Sequence, residues 1–194
     1  MSTNHLSLFG KLAIFMAIMV TISNFLVQYP VNHFGLSEVL TYGAFSYPIT
    51  FLITDLANKK YGKNDARKIV YIGFFLGVIL TLFFSTNFKD LISIRIAIGS
   101  GTAFIVAQLL DVQIFDKLRK RVWYVAPLVS SLFGSFADTM LFFFIAFYKT
   151  GSSWISLAIG DFSVKVLIAL IMLIPFRLFL NKIRNEANTS AKVT

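Results

Sequence analysis

The chain has 194 residues, 57% of them apolar, with a mean hydropathy of +0.75 and a formal net charge of +9. A chain this apolar cannot supply the polar surface of a soluble domain, so the soluble nucleic-acid binder that its basic charge would otherwise suggest is set aside. It has no cysteine, which excludes disulfides, thiolate metal sites and a cysteine nucleophile.

A hydrocarbon core takes about 20 mostly apolar residues per helix, so a chain of this length with short loops can cross about six times. Uncharged or nearly uncharged apolar segments run over 12–27, 39–56, 69–84, 91–115, 125–147 and 157–180. A membrane barrel would need alternating segments of about 10 residues, whereas these are longer and apolar all round. The expected fold is therefore an all-α integral membrane protein, a single bundle of six transmembrane helices. The first segment is too long for a signal peptide and lacks its cleavage site, so it reads as the first span. Residues 1–185 read as one six-helix transmembrane domain. Residues 186–194, polar and without periodicity, read as a disordered cytoplasmic tail.

Orientation follows from the lysines and arginines of short loops, which resist translocation. Lys59, Lys60, Lys63, Arg67 and Lys68 lie between the second and third spans, and Lys117, Arg119, Lys120 and Arg121 between the fourth and fifth. Arg177, Lys182, Arg184 and Lys192 lie at or beyond the end of the sixth, and Lys11 precedes the first, while the opposite side has Lys89 and Lys149. Both termini are expected in the cytoplasm, in a multi-pass protein of an inner membrane. The basic runs serve topology, with no nucleic acid as partner.

The ionisable residues within the spans carry the functional signal, because a charge at mid-bilayer costs about 2.5–3.5 kcal/mol unless it finds a partner or water. They are Asp55, Arg95, Asp111, Asp138, Asp161 and Lys165. If each base neutralises one of the four acids, two carboxylates remain for protons or a solute. Asp161 and Lys165 are four apart on one helix, a spacing that allows either mutual neutralisation or a direct role with solute or proton. Arg95, near Asp90, can snorkel to the outer interface.

On the second span Tyr47, Thr50, Thr54 and Asn58 form a polar stripe at helical spacing beside Asp55. Pro48 interrupts that span and leaves the carbonyl of Ala44 without its helical donor, which can kink or break the helix. On the fourth span Phe104, Gln108 and Asp111 share a face that could grip a heterocycle, although Phe104 serves equally as packing bulk. Asn24 and Gln28 repeat the four-residue spacing on the first span and could instead bond neighbouring helices. The pairs Gly73 with Gly77 and Ser131 with Ser135 read as close helix packing. No phosphate-binding loop, metal-ligand cluster or nucleophile with a histidine base is present, His5 and His33 both lying outside the spans. No enzyme activity, catalytic residue, metal or cofactor is therefore expected.

Several motifs are familiar as an ordered set. Gly43-Ala44-Phe45-Ser46-Tyr47-Pro48, continued by Phe51-Leu52-Ile53-Thr54-Asp55-Leu56, resembles the bacterial queuosine precursor transporter family, once catalogued as vitamin uptake transporters. Ser23-Asn24, Val27-Gln28, Arg95-Ile96-Ala97, Gln108-Leu109-Leu110-Asp111-Val112, Asp138-Thr139 and Asp161 with Lys165 are similar to that family in the same order. The resemblance implies a six-helix carrier importing queuosine precursors, the 7-cyano- and 7-aminomethyl-7-deazaguanines salvaged for tRNA modification. It also implies that Asn24, Gln28, Asp55, Arg95, Gln108, Asp111, Asp138, Asp161 and Lys165 occupy motif positions. Many relatives have an amide where this chain has Ser135 and Asn-Glu where it has Asn58-Lys59, so neither position is carried over.

A deazaguanine offers a donor edge, N1–H and the amino group, that a buried carboxylate binds in bidentate fashion. Asp111 or Asp138 is expected to be that carboxylate, with Gln108 and Asn24 on the acceptor edge and Phe45 or Tyr47 stacking. Gln28 and Asp55 complete the expected substrate set, and Arg95, Asp161 and Lys165 the charge-pair or proton-coupling set. A rival reading is a substrate-binding membrane subunit that captures a vitamin-like solute for a separate energising module. The partners expected are the small deazaguanine and membrane lipid, and a homo-oligomer is compatible with the sequence.

Overall fold

Apolar segments in lipid become helices because the backbone must satisfy its own hydrogen bonds there. The computed structural model describes residues 3–33, 37, 40–85, 91–150 and 153–191, with side chains over 8–33, 37, 40–80, 94–150 and 153–182. Six helices follow in order: α1 Thr3–Leu26, α2 Gly43–Tyr61, α3 Lys63–Ser85, α4 Leu91–Leu118, α5 Val125–Phe147 and α6 Trp154–Ala191.

Stretches within α1, α4, α5 and α6, namely Leu8–Leu26, Ile94–Leu118, Val125–Phe147 and Trp154–Lys182, are long and apolar enough to cross a membrane. α2 falls short in composition because it carries Ser46, Thr50, Thr54, Asp55 and Asn58, all of them buried. The side chains of α3 beyond Leu80 lie outside the described residues.

The helix ends differ from the apolar segments for local reasons. Gly62 adopts φ 89°, a left-handed value that suits glycine, and its N–H closes α2 on the carbonyl of Asn58 at 2.9 Å. α3 can therefore start at Lys63, six residues before its apolar stretch, with Asp65 in its first turn facing the positive end of the helix dipole. α2 is not broken at Pro48, which sits in its second turn with few residues before it. α6 continues to Ala191 and so enters the stretch expected as a tail, whose residues 192–194 lie outside the described residues. Lys89, Asp90 and Lys192 also lie outside them. The α1–α2 connection is pinned by Val31 N–H to Leu40 O at 2.9 Å and Tyr42 N–H to Tyr29 O at 3.0 Å.

α2 packs against each of the other five helices, which makes it the axis of the bundle. Its contacts with α4 advance together, Tyr47 with Ser100, Thr54 with Gln108 and Asn58 with Val112, so the two helices run parallel. α4 and α5 run oppositely, Gly99 facing Ile145 and Gly134 facing Ala107. Gly73 and Gly77 bring α3 onto Met16, Ala17 and Val20 of α1, as their spacing suggests. On α5 Gly134 makes a close approach to Phe51 and Ala107, with Ser131 and Ser135 buried on either side of it. The outward faces carry exposed Ile14, Ile18, Phe75, Ile159, Leu167, Ile174 and Leu178, while Asp55, Asn58, Gln108, Asp111, Asp138, Asp161 and Lys165 turn inward. That inversion of a soluble fold suits a chain whose solvent is lipid.

Candidate functional site

The polar stripe of α2 is the organising element of the interior. Residues at intervals of three and four lie one above another on a helix, so Tyr47, Thr50, Thr54 and Asn58 present one polar ladder to α4. Near the first-turn end, the Tyr47 hydroxyl lies 2.7 Å from Ser100 Oγ and donates to Asn24 Oδ1 at 3.2 Å. Ser100 also donates to Asn24 Oδ1, at 2.6 Å, so one α1 amide oxygen is shared by α2 and α4. One turn on, Gln108 is held at both ends: Nε2 donates to Thr50 Oγ1 at 2.7 Å and Oε1 accepts from Thr54 at 2.5 Å.

A charged cluster joins α5 to α6 beside this ladder. The Lys165 ammonium lies 2.7 Å from Asp138 Oδ2 and 2.6 Å from Asp161 Oδ2, with all three side chains buried. Thr139 donates to the same Asp161 oxygen at 2.7 Å and accepts from Lys165 at 3.2 Å. The ammonium also sits 5.2 Å from the centroid of the Tyr47 ring, within cation–π range, which ties the cluster to α2. One lysine thus compensates two acids, and each acid or hydroxyl around it has a partner.

Deeper along α2 the pattern changes. Asp55 accepts from Ser130 at 3.1 Å and Ser131 at 3.4 Å, both on α5. Asp111 of α4 is fully buried, neighbours Ser130, and accepts no hydrogen bond at either oxygen. Asn58 donates to Val112 O at 2.9 Å, while its own Oδ1 has no donor. Asp55 and Ser131 also line a crevice with Pro48, Leu52, Pro127 and Phe176 that has room for about one water molecule. At the far end of α2, Arg119 donates to the carbonyls of Asn58 and Lys59 at 2.9 and 3.0 Å, closing the helix terminus.

The comparisons with known proteins meet this geometry. A family model described as "Putative vitamin uptake transporter" matches residues 41–180, which contain every cluster just described except Asn24. The chain belongs to the vitamin uptake transporter family. It is 36% identical over 183 residues to the queuosine precursor transporter of Escherichia coli strain K12, covering 84% of this chain and 82% of that one. It is 35% identical over 195 residues to the probable queuosine precursor transporter of Haemophilus influenzae, with the same coverage. The probable queuosine precursor transporter of Bacillus subtilis is 30% identical over 190 residues, 85% of this chain and 82% of the relative. No solved structure matches the chain. With relatives named as transporters and four helices apolar enough to cross a bilayer, it is a membrane protein.

Within this family member, eight of the residues singled out from sequence share the interior around α2: Asn24, Tyr47, Asp55, Gln108, Asp111, Asp138, Asp161 and Lys165. Three stand apart. Gln28 is exposed and donates to the Asn24 carbonyl at 3.0 Å, and Phe45 is 46% exposed on the outer face. Arg95 donates to Ile145 O at 2.9 Å and Tyr148 O at 2.8 Å, covering the end of α5 where Lys149 turns to φ 61°. Among the described residues it pairs with no acid, so its charge answers the carbonyl end of a helix. Phe104 stacks on Phe74 with centroids 5.8 Å apart, which is core packing. Ser100, Ser130 and Thr139 were missed from sequence because lone hydroxyls in apolar helices also occur as ordinary packing and glue. Thr139 alone had a signal, its place beside Asp138.

Proposed function

We propose that the chain is a secondary transporter importing queuosine precursors, 7-cyano-7-deazaguanine and 7-aminomethyl-7-deazaguanine, across the bacterial inner membrane. The observation that carries the reading is Asp111, a fully buried carboxylate with both oxygens unpartnered. An unpaired buried acceptor is costly, and a ligand presenting two parallel donors relieves it. The N1–H and 2-amino group of a deazaguanine present that pair.

Gln108 and Asn24 then serve the acceptor edge by exchanging their present hydroxyl partners, and the Tyr47 ring supplies the apolar face. Asp55 supports Asp111 from the opposite helix, and the Asp138–Lys165–Asp161 cluster bounds the site on its α5–α6 side. Gln28 and Phe45 lie at the outer surface, away from this arrangement.

The same reading takes all six helices as spans, residues 1–185 as the transport domain and both termini as cytoplasmic. Parallel α2 and α4 with α5 opposed to α4 is the order that alternating spans produce. The basic loops also meet at one end, Arg119 on the carbonyl of Lys59 and Arg177 4.6 Å over the ring of Trp123, as loops on one membrane face do.

The test is uptake of radiolabelled precursor by cells unable to synthesise it, with and without this gene, in competition with unlabelled analogues. A deazapurine lacking the 2-amino group loses one of two paired hydrogen bonds and should compete at least about tenfold more weakly. Equal competition by the two compounds would remove Asp111 as the reader of the donor edge.

A further inference from the structure

Asp55 and Asp111 are the two buried acids that Lys165 does not reach. The Thr54–Gln108 and Asn58–Val112 contacts set them at one level of α2 and α4, and the Ser130 hydroxyl that donates to Asp55 at 3.1 Å also neighbours Asp111. α5 faces Asp55 with the neutral hydroxyls of Ser130 and Ser131, and α6 faces it across the crevice with the apolar Ala169, Met172, Leu173 and Phe176. Asp138 of α5 and Asp161 of α6 are bound to Lys165 in their own cluster. Among the described residues, no lysine or arginine forms an ion pair with Asp55 or Asp111.

At this level three buried acceptors lack a donor, both oxygens of Asp111 and Oδ1 of Asn58. Two dehydrated carboxylates without a base repel strongly, and a single proton between them removes one charge while supplying a missing donor. The crevice lined by Asp55 and Ser131 has room for about one water molecule and none for a heterocycle.

We propose that Asp55 and Asp111 together bind one proton, delivered along that crevice, and that it stays with the protein while cargo crosses. This rests on the reading of Asp111 as the carboxylate that receives the donor edge. When cargo arrives, Asp111 must be ionised to accept two hydrogen bonds, so the proton passes wholly to Asp55. Empty and loaded protein then hold the same number of protons. A proton gradient therefore does not drive import; the carrier equilibrates its cargo. Absolute pH sets its rate, since alkali strips the shared proton and leaves two facing charges.

The experiment uses the full chain, purified into liposomes, with neutral radiolabelled 7-cyano-7-deazaguanine and the membrane potential clamped at zero. Steady-state accumulation should be the same with and without an inside-alkaline gradient of one pH unit, and indifferent to sodium. Initial rates at symmetric pH should fall as pH rises. A carrier moving one proton per cargo would instead accumulate it about tenfold under that gradient, and this result overturns the proposal. So does a requirement for sodium.

A hydrophobic carbodiimide, which labels protonated carboxyls, locates the proton in the wild-type protein without relying on a variant. Label on Asp55 or Asp111 supports the site, and label confined to Asp138 or Asp161, or no label, overturns it. Asp55→Asn, which fixes a donor where the proton would sit, should flatten the pH profile of the rate, and Asp55→Glu should restore it. Absence of any uptake by wild type would count against the transporter reading itself, with the carbodiimide map still deciding whether the proton is there.

Discussion

Replacing Lys165 by methionine removes the cation that two buried carboxylates share. Asp138 and Asp161 lie 2.7 and 2.6 Å from its nitrogen, and each side chain is at most 6% exposed, so water cannot take its place without opening the α5–α6 contact. Removing one partner of a buried ion pair costs about 3–5 kcal/mol because the charge left behind is uncompensated. For a chain of this size each kcal/mol corresponds to about 2–4 °C, so a thermal melt in detergent should drop by roughly 6–20 °C. The triple variant Asp138→Asn, Asp161→Asn, Lys165→Met leaves no charge behind and should recover most of that loss, since whole buried clusters are replaced at little cost. A Lys165→Met melt within about 2 °C of wild type, equivalent to no more than about 1 kcal/mol, would refute the shared ion pair. A triple variant as unstable as the single one would show that lost packing, not stranded charge, is responsible.

Other perturbations follow from the same contacts. Gly77→Leu places a Cβ 2.7 Å from Val20 Cγ1 and should loosen α1 from α3, costing about 1–3 kcal/mol in a melt. Gln108→Leu removes the bonds to Thr50 and Thr54 and leaves each hydroxyl its backbone carbonyl alone, so a loss of about 0.5–1.5 kcal/mol per bond is expected together with weaker precursor uptake per folded molecule. Arg95→Ala uncovers two carbonyls at the end of α5 and should lower the melt by about 1–3 kcal/mol, with protection from amide exchange lost there first. Reconstituted protein that binds deazaguanine but moves it only with added partners would favour the binding-subunit alternative over the carrier.

The helical class was legible because lipid leaves few choices, and 125–147 matched α5 at both ends. α2 was read as a polar stripe from its spacing, and the ladder it forms with α4 follows that stripe residue by residue. Charge counting suggested two acids left over, expecting each base to neutralise one. The structure reaches two by another route: Lys165 takes two acids, and Arg95 spends its charge on carbonyls. That difference was hidden because spacing relates residues on one helix, as for Asp161 and Lys165, but says nothing of which helix packs opposite. Asp138 joining them from α5 is a tertiary fact. Gln28 and Phe45 were expected in the substrate set for the same reason and are exposed in the structure, since the face a residue turns to lipid depends on its neighbours. The α3 start at Lys63 was missed because its first turn is polar, and hydropathy marks the apolar part of a helix rather than its capped end.

The most direct measurement compares precursor uptake by wild type and Asp111→Asn in cells that cannot make the precursor, at equal amounts of folded protein in the membrane. An amide of the same shape offers one acceptor where the carboxylate offers two, so import should fall by about tenfold or more. Import by Asp111→Asn at the wild-type rate would mean that the unpartnered carboxylate at the heart of the bundle does not meet the cargo.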